Sequence, residues 1–226
     1  YSLEYMEQVL AQAEDYTGNR RLEAREQPNV ILVLSESFFD ITQLEGLSFR
    51  DDPLKEYHAL QKESVSGTFG TRSFGYGTCD IELEVLTGMN SGLLDNEPLN
   101  SWPKEYFTRL PTVPNLLRDS GYYTSMIHMY NDSVYNRGAY FASLGFSDIY
   151  FCEDFAKFYP PAAEAEDYNE FMQGHFSGMY FSDDLMADLL ISQFETKTAA
   201  GEGPVFLYAS SMENHTPYPL EKYSPE

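Results

Sequence analysis

Glu36 stands directly behind the apolar run of residues 29–35 (NVILVLS), and Thr78 opens the stretch CDIELEVL behind the flexible turn Gly75-Tyr76-Gly77. A carboxylate at the carboxyl end of a buried strand, with a hydroxyl at a helix N-terminus, is one way an α/β fold builds a metal-and-nucleophile site. His128 closes the apolar segment 122–127, and His215 lies in the polar loop ENHTPY behind the last apolar run, residues 204–210. Three separate strands thus bring ionisable groups toward one sheet edge, where open α/β sheets collect ligands. Arg137 follows Tyr135 and Asn136 in a chain with 14 Lys and Arg against 36 Asp and Glu. An arginine beside aromatic residues in so cation-poor a chain is a candidate for bidentate phosphate binding.

Each residue also has a plain structural reading. Glu36 reads equally as a loop carboxylate, and Thr78 as a helix cap whose hydroxyl satisfies free backbone N–H groups. His128 reads as a core histidine and Arg137 as a surface charge. Ser35 and Ser37 flank Glu36 without a G-x-S-x-G context, which argues against a hydrolase serine elbow.

The elements that must position these groups follow from periodicity. Residues 2–15 space Leu3, Met6, Val9, Leu10 and Ala13 as one amphipathic helix, and residues 16–27 read as a polar linker. Residues 29–35 predict a strand buried on both faces. A helix is expected over 52–62 with Pro53 in its first turn, then a short strand over 65–69, then a helix over 78–86 that stops at Gly88. Residues 90–110 read as a loop. Thr112 starts a helix that ends near Gly121, 122–127 is a strand, 133–144 a helix and 149–151 a short strand. Residues 153–175 are acidic and aromatic and read as a surface excursion. The helix over 183–194 carries Asp183 and Asp184 in its first turn, as the macrodipole favours. Alternating strands and helices point to an α/β fold with a mainly parallel sheet flanked by helices.

Composition narrows the partners. The chain is 42% hydrophobic and 15% aromatic, as a folded globular protein is. Its net charge of −22 opposes nucleic acid and an anionic membrane surface as electrostatic partners. A small phosphorylated substrate stays open, because a bound divalent cation reverses the local sign. The two cysteines, Cys79 and Cys152, form no metal-binding pair or disulfide framework and are expected to be unpaired. No stretch approaches the ~20 apolar residues of a membrane span. The chain begins at Tyr1 without Met and reads as an excised soluble piece.

In order, NVILVLSES, GYGTCDIEL, HMYNDSVYNR and ENHTPY resemble the lipoteichoic acid synthase branch of the alkaline phosphatase/sulfatase-like superfamily. The resemblance covers residues 29–218. It implies a phosphoglycerol transferase on the outer face of the bacterial cell membrane, tethered by an N-terminal anchor absent from this sequence. Such an enzyme moves glycerol phosphate from phosphatidylglycerol, through a phosphorylated threonine, to a polymer or glycan acceptor. By this likeness Thr78 is the nucleophile and, with Glu36, a ligand of a divalent metal, commonly manganese, with magnesium or zinc as alternatives. Arg137, His215, Tyr135 and His128 would face the substrate. The division implied is an N-terminal helix and linker over 1–27 and a catalytic domain over 28–226.

Two departures matter. An aspartate that relatives carry near the substrate falls at Tyr130. The family's Asp-His metal ligands come later than the Asn-His-x-Pro-Tyr element, and this chain ends at Glu226, so the expectation is a fold incomplete at its C-terminus with half a metal site and no activity of its own. Cys79 lacks the Pro and Arg of the sulfatase C/S-x-P-x-R motif. The rival readings are a phosphoethanolamine transferase, a phosphodiesterase or sulfatase-type hydrolase of the same fold, and a non-catalytic domain that binds a polyanion or headgroup.

Overall fold

The computed structural model describes residues 27–71, 77–90, 108, 110–133, 136–201 and 203–223. The expected helix over 2–15, the Gly75-Tyr76 turn, most of the 90–110 loop and Tyr135 lie outside them.

Four parallel strands form the main sheet: β1 (Val30–Leu34), β2 (Tyr123–His128), β3 (Asp148–Tyr150) and β6 (Val205–Ser210), in the order β1-β6-β2-β3. The last described strand, β6, is therefore internal and buried throughout. Its alternation builds two cores. Val205, Leu207 and Ala209 pack on one face with Leu185, Leu189 and Phe155. Phe206 and Tyr208 pack on the other with Met126, Leu83, Leu86 and Phe141. Side chains two apart along a strand share a face, so His128 falls on the same side as Met126.

The helices are α1 (Lys55–Glu63), α2 (Thr78–Thr87), α3 (Val113–Asp119), α4 (Arg137–Leu144), α5 (Pro160–Ala163), α6 (Tyr168–Gln173) and α7 (Asp183–Ala200). Their ends obey local chemistry. The Thr112 hydroxyl caps α3, Ser182 caps α7, and Gly88 ends α2 in the left-handed conformation at φ 70°.

Several expectations need correction. β1 is an edge strand, and Ile31 and Val33 are 49% and 44% exposed, so it is not buried on both faces. Pro53 precedes α1 rather than entering it, since the helix begins only at Lys55. Residues 65–69 form no strand. Val65 and Phe69 are exposed, and among the described residues no strand pairs with them. α4 begins at Arg137, four residues later than expected, because Asn136 takes a left-handed turn at φ 51° and Asp132 accepts the Gly138 N–H at 2.6 Å. The 153–175 excursion is not superficial. A 3₁₀ segment, Cys152–Lys157, then α5 and α6, put Phe155, Tyr159, Ala162 and Met172 into the core. The antiparallel pair β4 (Phe176–Ser177) and β5 (Tyr180–Phe181) was not anticipated. α7 runs six residues beyond its expected end.

Candidate active site

Register explains why the functional groups meet. Leu34 and His128 both pair with Ser210, so β1, β6 and β2 end at one level. Glu36 lies two residues past that level. Its backbone N–H donates to Ser211 Oγ at 3.0 Å, which ties the turn after β1 to the turn after β6.

Gly77, at φ 78°, occupies the cap position of α2 and makes Thr78 the first helical residue. The Thr78 hydroxyl is consequently not a cap. It donates to Glu36 Oε2 at 2.7 Å, with both side chains half-buried. The free N–H groups and positive end of α2 favour negative charge there.

A second cluster lies beneath. Arg137, the first residue of α4, is 5% exposed, and its Nη1 donates to Glu82 Oε1 at 3.2 Å. The same nitrogen lies 3.2 Å from His128 Nε2 and 3.5 Å from Nδ1. The Tyr208 hydroxyl donates to Glu82 Oε1 at 3.1 Å. Burial, and then the charges of Arg137 and His215, pull His128 down to about 3, so it is neutral at physiological pH. Burial pushes Glu82 upward, against the opposing pull of Arg137 and the Tyr208 hydrogen bond. Burial, reinforced by Asp80 and Glu82, pushes the Cys79 thiol up to about 11. Although adjacent to Thr78, that thiol is protonated and a poor nucleophile.

His215 comes from the loop after β6, as expected. Its Nδ1 lies 2.6 Å from the Thr216 carbonyl, which fixes the proton there and leaves Nε2 the acceptor in the neutral ring. Lys222, 5% exposed, donates from Nζ to the His215 carbonyl at 2.6 Å and lies 4.5 Å from the Tyr218 ring centre and 5.5 Å from that of Tyr180. His215 is near enough to His128 to lower its basicity.

The structure therefore joins Glu36 with Thr78 and Arg137 with His128, and brings His215 toward them. Sequence reasoning did not single out Glu82, Tyr208, Ser211 or Lys222. Glu82 did carry a signal: it is a carboxylate on the helix face that also bears Cys79, Leu83 and Leu86. Among the described residues no group of three or more His, Cys, Asp or Glu is arranged to hold a metal. Glu36 and Thr78 supply two adjacent hard oxygen donors, a set that suits manganese or magnesium better than a soft-ligand metal. Among the described residues no helix is long and apolar enough to cross a membrane.

Comparison with known proteins gives the family and the fold. A family model described as Sulfatase matches residues 28–226. A Rhizobium meliloti (strain 1021) protein, provisionally named for cyclic beta-1,2-glucan modification, is 28% identical over 202 residues, 88% of this chain and 27% of that protein. The Streptococcus pyogenes phosphoglycerol transferase GacH, solved with sn-glycerol-1-phosphate, superposes with a TM-score of 0.69 at 21% identity, over 97% of this chain and 54% of its own. The lipoteichoic acid synthase LtaP of Listeria monocytogenes gives 0.60 at 19%, over 92% and 47%. An alkaline phosphatase superfamily protein of Vibrio parahaemolyticus gives 0.57 at 22%, over 85% and 42%. The chain thus spans about a quarter of the curated relative and about half of each solved structure. The structural likeness establishes the alkaline phosphatase/sulfatase-like fold.

Proposed function

This chain belongs to the sulfatase family, and from that premise we propose that it carries the nucleophile and phosphate-binding half of a phosphoglycerol transferase. The observation that carries the reading is the 2.7 Å hydrogen bond from Thr78 to Glu36, set at the positive end of α2 with Arg137 behind it.

In this reading the Thr78 oxygen attacks the phosphorus of a glycerophosphodiester in line. Its proton departs on the Glu36 side, and the bond from phosphorus to the lipid alcohol breaks. An acceptor hydroxyl then attacks the phosphothreonine and regenerates Thr78. Arg137 grips phosphoryl oxygens and His215 orients the glycerol phosphate. Glu36 and Thr78 would hold the divalent metal, which when bound acidifies the hydroxyl and offsets charge on the phosphoryl group. His128, buried and neutral, lies against the same Arg137 nitrogen that Glu82 holds. Tyr135 is assigned to the substrate rim by resemblance.

The sulfate-ester alternative is disfavoured by Thr at the nucleophile position and by the protonated Cys79 beside it. For the acceptor, the glucan-related curated relative and the net charge of −22 both favour a neutral glycan over a polyanionic chain. The lipid donor and an N-terminal membrane anchor on the outer cell surface complete the proposal.

The test is an intact mass of the full-length protein after incubation with phosphatidylglycerol and Mn²⁺, beside Thr78→Ala. A glycerol phosphate adduct on the parent alone is expected. An adduct on both proteins, or none on a folded, metal-loaded parent, would overturn the reading.

A further inference from the structure

Glu82 has no part in the chemistry just described, yet it is only 1% exposed. Taking a carboxylate out of water is costly unless partners repay it, and here the repayment is uneven. Oε1 receives both the Arg137 Nη1 and the Tyr208 hydroxyl, while Oε2 has no hydrogen-bond partner among the described residues. One oxygen thus gathers donors from α4 and β6. The asymmetry suits a carboxylate aimed at fixing a guanidinium rather than one spread over every available donor.

Placement adds a second argument. Glu82 lies four residues after Thr78 on α2, so the two side chains share a helix face one turn apart. Arg137 is a long, flexible side chain at the start of a different helix, whose end is held by Asp132 through the Gly138 N–H while the guanidinium itself reaches Glu82. Through Glu82 the position of the guanidinium is referred to the helix that carries the nucleophile.

We propose that Glu82 is a positioning residue, whose carboxylate clamps Arg137 Nη1 so that the guanidinium addresses a phosphate ester presented to the Thr78 hydroxyl. The proposal rests on the reading of Arg137 as the phosphate-binding cation. It differs from simple charge neutralisation, which any carboxylate in the same spot would satisfy.

The decisive variant is therefore Glu82→Asp, which keeps the charge and draws the carboxylate back by one methylene. Affinity for sn-glycerol-1-phosphate is measured calorimetrically with Mn²⁺ in the full-length protein, for wild type, Glu82→Asp, Arg137→Ala and the double variant. Glu82→Asp is expected to weaken binding on the order of 10-fold, the scale of losing an outer partner of a liganding group. It is expected to add nothing further in the Arg137→Ala background. Wild-type affinity in Glu82→Asp, or a loss that adds in full to that of Arg137→Ala, overturns the proposal and leaves the Arg137 reading standing. Wild-type affinity in Arg137→Ala instead overturns the phosphate reading, and the proposal with it. If Glu82→Asp does not fold, Glu82→Gln takes its place with the criterion reversed: its amide oxygen still accepts from Arg137 without the charge, so affinity near wild type is expected, and a loss on the order of 10-fold assigns the role to charge and overturns the proposal.

Discussion

Replacing Arg137 by Met should convert a quiet buried pair into a pH-dependent defect. The side chains of Arg137 and Glu82 are 6% and 0% exposed and 3.2 Å apart. Removing one partner of such a pair leaves an uncompensated buried charge and costs about 3–5 kcal/mol. For a chain of this size each kcal/mol lowers Tm by about 2–4 °C, so the variant should melt about 6–20 °C below wild type at pH 7.5. The sign of the pH dependence follows from Glu82. Burial already pushes its carboxyl above the ordinary value of 4.5, and Arg137 is the main group holding it down. In Arg137→Met the folded-state value rises further, so the folded protein holds a proton that the unfolded chain releases. Stability is then greatest below the unfolded value and is lost as pH rises toward the folded one. The deficit against wild type should be smaller at pH 5.5 than at pH 7.5. Taking the difference from wild type at each pH cancels the general relief of self-repulsion in so acidic a chain. Urea unfolding of both proteins at the two pH values is the assay. A deficit under 1 kcal/mol, or one that does not change with pH, would refute the argument that Arg137 compensates a buried charge.

Further expectations are open to simple measurements. Leu83→Ala, at a fully buried position facing Tyr208's core, should cost about 2–5 kcal/mol in urea unfolding. Both cysteines are free, and burial holds their thiols high, at about 11 for Cys79 and about 12 for Cys152; thiol labelling at pH 8 should be slow in the native chain and rapid in urea. His58 lies 2.8 Å from Asp52 and 3.2 Å from Asp40, and these hydrogen bonds raise its pKa, so the clamp between α1 and the turn after β1 is at full strength below pH 6.5 and weakens as pH rises through the raised value. Proteolysis of residues 36–54 should accordingly speed up with pH in wild type and lose that dependence in His58→Ala. With two oxygen donors, Mn²⁺ should bind the 226-residue chain no tighter than about 10⁻⁴ M, and Glu36→Ala should abolish even that; micromolar binding by calorimetry would contradict the two-donor site.

Legibility followed the range of the forces involved. β1, β2 and β6 were visible because short β-branched and aromatic runs leave few alternatives, and α2 because Gly77 and Gly88 bracket it. The convergence of Glu36, His128 and His215 was legible from strand ends alone. What decided the rest lies far away in sequence. The exposure of Ile31 and Val33 depends on β1 being an edge, which the order β1-β6-β2-β3 sets and no local pattern announces. Residues 65–69 have strand-like composition but no partner among the described residues, and Phe155 and Met172 sit in an acidic stretch that tertiary packing pulls inward. That the Thr78 hydroxyl serves Glu36 and not its own helix end depends on a contact 42 residues away. Glu82 went unnoticed because its partners, Arg137 and Tyr208, stand 55 and 126 residues off.

The place of β6 has a bearing on how the molecule is made. β6 is the last of the described strands and an inner one, so among them β1 has no sheet partner until residue 205 has emerged. The contact between Glu36 and Ser211 closes a span of 175 residues. At about 5–20 residues per second, a nascent chain carries the apolar segment Val30–Leu34 unpaired for roughly 10–35 s. Such long-range parallel pairing is slow and leaves strand edges open to wrong partners meanwhile. Over that interval the nascent chain exposes an unpaired strand edge, and translation pauses placed before residue 205 would lengthen its exposure. Glu36 thus acquires its Ser211 anchor only after most of the chain has left the ribosome.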